Sequence, residues 1–252
     1  MKKTLCATLA TTTLLTCMGY VTINASAATQ DGGLQRSKAT IEYIENTDTE
    51  LPDNPLAPGN SLKPSDDNKT GGAGPLSIDY VSDIAFGQNK TSGKTEIYKA
   101  ELDTFKDGTK APISAQVTDK RGSNAGWTLT AKQESLFKQS KGNEVLKGTI
   151  LRLNNPNLSS KDNMTSGIPN SNVLPTVQAV KLSAKDSGEA GNEQIVATAA
   201  KDKGMGQWVT RYGIDNDEAK ESVTLEVPGN SKKVKDTYST SILWTLTDSP
   251  TS

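Results

Sequence analysis

The side chains that carry most enzyme chemistry are nearly missing from this chain. There is no histidine among 252 residues, which removes Ser-His-Asp and Cys-His triads and the usual zinc sites. Ser135-Leu136-Phe137-Lys138 has the S-x-x-K spacing of some serine enzymes. Such a pattern arises easily by chance, and no Lys-Thr-Gly motif supports it; a solvated edge is the plainer reading. Asp215, Asp217 and Glu218 could work as acid and base, or hold calcium. They fit no EF-hand spacing and fall between strands, as a charged turn would. Gly204-Met205-Gly206 before Trp208 is too short for a phosphate loop and reads as a turn feeding a strand. The expectation is a chain that is not an enzyme and has no cofactor and no metal.

A different chemistry repeats. Trp127-Thr128-Leu129-Thr130 recurs as Trp244-Thr245-Leu246-Thr247. At the period of a strand, Trp and Leu share one face and the threonines share the other. Trp127 with Leu129, and Trp244 with Leu246, are therefore either core pairs or exposed platforms on which a sugar ring can stack. Burying one aromatic ring is worth roughly several kcal/mol, which favours core. The Thr-rich opposite face, or the polar stretch 154–175, could supply hydrogen-bond donors to a ligand. Lys120 and Arg121, close before Trp127, either pair with ligand carboxylates or phosphates or form a solvated turn.

The elements that must hold these residues read as strands. Val223-Thr224-Leu225-Glu226-Val227 alternates cleanly, and Pro228-Gly229-Asn230 is a turn. Tyr238 to Thr247 reads as one ten-residue strand, long enough to cross a whole sheet with a neighbour on each side. Pro250 ends it. About ten short strands with turns between them predict an all-β sandwich or barrel-like single domain. Asn154 to Pro175 reads as one long loop, and Lys132 to Gln139 as one or two helical turns.

Before these strands lie two other segments. Lys2 and Lys3, an apolar run from Leu5 to Met18, and Ala25-Ser26-Ala27 predict a signal peptide over residues 1–27, cut after Ala27. Cys6 and Cys17 leave with it, so the mature chain has no cysteine, as suits a bacterial surface protein. Removing Lys2 and Lys3 from 28 basic residues leaves 26 against 29 acidic ones, a net charge of −3. That balance gives no reason to expect nucleic acid or an anionic membrane as partner. No transmembrane segment is expected after the cut. Residues 28–74, rich in Pro, Gly and Asp, read as a flexible linker with one short strand candidate at Ala39 to Ile44. The folded domain is expected over residues 75–252.

Four blocks resemble the WxL-domain family of Gram-positive cell-surface proteins. They are Gly74 to Gly87, Gln116-Val117-Thr118-Asp119-Lys120-Arg121-Gly122 with Gly126-Trp127-Thr128-Leu129, Gly204-Met205-Gly206-Gln207-Trp208, and Val223 to Gly229 with Tyr238, Ile242, Trp244, Leu246 and Pro250. The resemblance implies a secreted, extracellular protein held non-covalently on the cell wall. Its ligand would be peptidoglycan or another wall polymer. It also implies a membrane-anchored WxL-interacting protein as a candidate partner. Two functions follow from it, a wall-polymer binding module or a β-rich module docking on that partner.

Overall fold

The computed structural model describes residues 36–69, 71–165 and 168–248. The expected signal peptide and its cut, Cys6, Cys17 and Pro250 lie outside them. The chain divides into one unit ending at Ile41 and a second over Glu42–Ser252. In the first, residues 36–41 are exposed and form no strand.

The second unit is nearly all-β, with nineteen strands numbered in chain order and one short helix among the described residues. Three antiparallel four-stranded sheets build it. Sheet I runs β1 (Leu76–Val81), β5 (Ser114–Asp119), β16 (Gly206–Tyr212), β10 (Pro156–Ser159). Sheet II runs β13 (Thr176–Val177), β15 (Gln194–Ala199), β6 (Trp127–Gln133), β19 (Ile242–Thr247). Sheet III runs β14 (Val180–Leu182), β9 (Ile150–Leu153), β17 (Val223–Val227), β2 (Glu96–Lys99). Three smaller sheets pair β18 (Tyr238–Ser239), β7 (Phe137–Gln139) and β8 (Val145–Leu146), β3 (Asp103–Thr104) with β4 (Lys110–Ala111), and β11 (Met164–Thr165) with β12 (Ile168–Pro169).

All three large sheets feed one core. Sheet I gives Ala115, Val117, Trp208 and Tyr212; sheet II gives Trp127, Leu129, Ala131 and Val196; sheet III gives Leu151, Leu153, Leu182 and Leu225. Alternate residues of each strand point inward, as a half-buried sheet requires. None of these sheets closes on itself, so the barrel alternative falls.

Four expectations change. The stretch 154–175 is not all loop: β10 pairs with β16 from Pro156 to Ser159. Proline is tolerated there because β10 is an edge and Pro156 is its first residue. Lys132 to Gln139 is not helical; β6 runs to Gln133 and β7 begins at Phe137. Asp215 is not in a plain charged turn. It caps helix α1 (Asn216–Ser222), accepting from the backbone N–H groups of Asp217 and Glu218, the usual task of an N-cap carboxylate. The long last strand is broken. β18 pairs with β7, and β19 pairs with β6 in another sheet. At the switch Thr240 Oγ1 donates to Ser135 O at 2.6 Å and Glu134 N to Ser241 O at 2.9 Å.

Residues 46–64, expected as linker, lie on the outer face of sheet I. Asp53 N donates to Gln116 Oε1 at 2.8 Å, and Gln116 Nε2 donates to Leu51 O at 3.0 Å. Arg211 reaches Pro55 O at 2.6 Å. Leu62 joins Tyr80, Phe105 and Ala111 in a second apolar cluster. Composition pointed to a linker because this strap holds on mainly by polar contacts, which hydrophobicity does not register.

Candidate functional site

The two Trp-x-Leu strands are neighbours. In the β6–β19 ladder Trp244 pairs with Ala131 and Leu246 with Leu129. Trp127, Leu129, Trp244 and Leu246 therefore share the core-facing side of sheet II. Their surroundings differ. Trp127 is 1% exposed and Leu129 0%, because β6 is flanked by β15 and β19. Trp244 and Leu246 pack against the same core yet are only partly buried, because β19 is the edge. The first pair is core; the second is half core and half surface.

The Gly-Met-Gly turn now has a physical task. Trp127 Nε1 donates to Gly204 O at 3.0 Å, and Trp208 Nε1 donates to Met205 O at 3.1 Å. Consecutive carbonyls thus satisfy two indoles that are each 1% exposed, as buried N–H groups require. Gly204 sits at φ +75°, and a Cβ there would lie 2.5 Å from Trp127 Nε1 and 2.3 Å from Ala199 Cβ. Only glycine fits this position.

The opposite face of sheet II carries hydroxyls. Thr176 pairs with Thr198, Thr198 with Thr128, and Thr128 with Thr247, one threonine from each of the four strands. Thr130 and Thr245 form the next row. Thr176 and Thr247 are exposed and Thr198 and Thr245 half-buried, while Thr128 and Thr130 are buried. The exposed Leu243 stands on this face beside Lys132. Sequence reading found the Thr-rich face of the two repeats. It missed Thr176 and Thr198, because cross-strand rows depend on register and not on local sequence.

Lys120 and Arg121 are spent on structure. Lys120 Nζ reaches Asp48 O and lies 3.3 Å from Glu50 Oε1, whose other oxygen binds Lys161 at 2.7 Å. Burial raises the Glu50 pKa, but the two lysines outweigh it and hold the carboxyl below its ordinary range. Arg121 grips Asp119 with Nε at 3.0 Å and Nη2 at 2.7 Å, and also donates to Gly126 O and Asp248 O. The hydrogen bonds to Asp119 raise the Arg121 pKa, so the guanidinium stays charged. Both side chains tie the β5–β6 turn to other segments.

Beneath the strap, Asp79 is 4% exposed. It accepts from Ser77 Oγ at 2.6 Å, Gln116 Nε2 at 2.9 Å and Thr118 Oγ1 at 2.5 Å. Burial nonetheless pushes its pKa above the usual carboxylate value. Elsewhere a cavity of about 250 Å³ opens among Lys181, Ser183, Lys185, Gly191, Asn192 and Gln194, with no aromatic ring in its wall. No group of three or more His, Cys, Asp or Glu side chains that could hold a metal is found among the described residues. No helix among them is long and apolar enough to cross a membrane.

The paired Trp-x-Leu strands thus give an all-β unit with a partly open aromatic edge on one face of sheet II and hydroxyls on the other. The chain belongs to the family of WxL domain surface cell wall-binding proteins, whose family model matches residues 30–250. It is thus a surface protein attached to the cell wall. No curated protein and no solved structure matches it.

Proposed function

We propose that the chain is exported with loss of residues 1–27 and holds the wall non-covalently by binding peptidoglycan, without catalysing a reaction. The observation that carries this reading is the contrast between the two Trp-x-Leu pairs. Trp127 and Leu129 are sealed, whereas Trp244 and Leu246 keep part of their surface in solvent on the edge strand. A half-open indole offers an apolar face to a sugar ring, and around the β19 edge, on the opposite face of the sheet, the exposed Thr247 offers a hydroxyl to amides and sugars. Lys120 and Arg121 enter as supports of this surface, since their charges are already paired.

Cosedimentation with purified, protein-free wall tests the reading. The mature chain is expected to pellet with the wall, and Trp244→Ala to lower the bound fraction roughly tenfold at a temperature where the variant is still folded. Wall that pellets without the protein overturns it. A second reading is favoured by one observation: among the described residues β19 pairs only with β6, and its other edge meets no strand. A membrane-anchored WxL-interacting protein could add a strand there. Binding to that partner without binding to bare wall selects this alternative.

A further inference from the structure

Open sheet edges invite pairing with other chains, and proteins blunt them with proline, charge, bulges or shortness. Five of the six edges of the large sheets carry such a guard. β1 has a register shift at Ile78/Tyr80. β10 starts at Pro156, β13 has two residues, β14 has three with Lys181 in the middle, and β2 carries Glu96 and Lys99. β19 has none of these. It runs six residues, Ile242–Thr247, in unbroken register with β6 and without a charge or a proline.

The register also fixes which backbone groups are free. Glu134 N donates to Ser241 O at 2.9 Å, one step before the Ile242–Gln133 pair. Hydrogen-bonded positions alternate along an antiparallel ladder. Ser241, Leu243, Thr245 and Thr247 therefore address β6, and the N–H and C=O groups of Ile242, Trp244 and Leu246 address the open edge.

We propose that this edge pairs antiparallel with the same edge of a second copy of the chain, with the two-fold axis at Trp244. In that register Trp244 stands opposite Trp244 of the second copy, and Ile242 opposite Leu246. All the outward N–H and C=O groups of these three residues then find partners. On the reverse face the exposed Leu243 meets Thr245 of the second copy. No charge from Tyr238 to Thr247 opposes the approach. The sequence Ile-Leu-Trp-Thr-Leu is close to a palindrome in chemical type about Trp244, so the identical edge is complementary by construction. The contact is closed by its two-fold axis and does not propagate into a filament. An interface of one strand pair belongs to the weak class, so the dimer forms where chains are concentrated, as on a wall. The partly open Ile242, Trp244 and Leu246 of both copies would line one continuous stripe. The pairing does not depend on what that stripe binds.

Sedimentation velocity of the full chain over a wide concentration range tests the proposal. A monomer–dimer equilibrium is expected, and Leu243→Glu is expected to weaken it at least tenfold. The melting temperature should stay unchanged, because the new carboxylate faces Lys132 within its own sheet. Register is checked by mixing a Leu243→Cys copy with a Thr245→Cys copy, both in a Cys6→Ser, Cys17→Ser background. These two positions form a non-hydrogen-bonded pair, close enough for a disulfide, and the cross-link should need both variants. A chain that stays monomeric at every concentration overturns the proposal. So does a dimer that ignores Leu243→Glu and gives no mixed disulfide. Either failure leaves the wall-binding reading intact, since Trp244 is untouched in each variant.

Discussion

At the residue scale, two tryptophans in one repeated tetrapeptide have different tasks. Trp127→Ala removes a ring that is 1% exposed and hydrogen-bonded, and should cost roughly 3–5 kcal/mol. Any loss of wall binding in that variant should follow the unfolded fraction. Trp244→Ala removes a partly buried ring and should cost less, about 1–3 kcal/mol, while binding falls in the folded protein. Denaturant melts run beside wall-binding curves read both numbers. Gly204→Ala should destabilise by at least about 2 kcal/mol, because a side chain at φ +75° is strained and its Cβ collides with Trp127 and Ala199. A melt unchanged by that substitution would show that the turn is free to move. The repeat and its alternating faces could be seen in the sequence. Which copy is sealed could not, because that depends on whether a strand has one neighbour or two.

At the element scale, the strap over residues 46–64 shows how a polar segment can be structural. Its grip combines backbone bonds with a charged knot in which Glu50 meets Lys120 and Lys161. The folded-state pKa of Glu50 is lowered, so its stabilisation is present above the ordinary carboxylate pKa. That stabilisation is lost as pH falls through the lowered value. Glu50→Gln should therefore cost about 1 kcal/mol near neutral pH, and the gap from the parent should close in acid. Asp79 has the opposite sign. Its pKa is raised by burial, so its contribution is full below the ordinary carboxylate pKa and is lost as pH rises through the raised value. Melting temperatures of parent, Glu50→Gln and Asp79→Asn across that range separate the two. Sequence reading missed the strap because Pro, Gly and Asp composition reports low hydrophobicity, and this segment is held by Gln116, Arg211 and Lys120 instead. It missed helix α1 for a related reason. One seven-residue helix has too few turns to show a period, and only Asp215 as a cap with Glu218 three residues on could have marked it.

At the scale of the whole molecule, the all-β class, the strand-rich core and the likeness of the two Trp-x-Leu strands were legible in alternation and repeat. The order of strands was not, since long-range pairing leaves no local trace. The last strand illustrates the difference. As one ten-residue strand with neighbours on both sides, it would be indispensable. Split into β18 and a β19 that lies at an edge, it contributes less. Ile242, Trp244 and Leu246 are only partly buried, so each supplies about half of the roughly 1.5–3 kcal/mol of a fully buried side chain. Tyr238 and the β18–β7 pairing add to this. Deleting the chain from Tyr238 onward should therefore remove roughly 3–6 kcal/mol out of a typical margin of 5–15 kcal/mol. It also turns β6 into an edge and bares Leu129 and Ala131, now both 0% exposed. The truncated chain is expected to melt cooperatively but roughly 10–20 °C lower, and to stop pelleting with wall while still folded. Calorimetry beside cosedimentation checks both halves. A truncated chain with no cooperative transition would show that β19 supports the core as an interior strand does. One that still pellets would move wall binding away from the Trp244 edge.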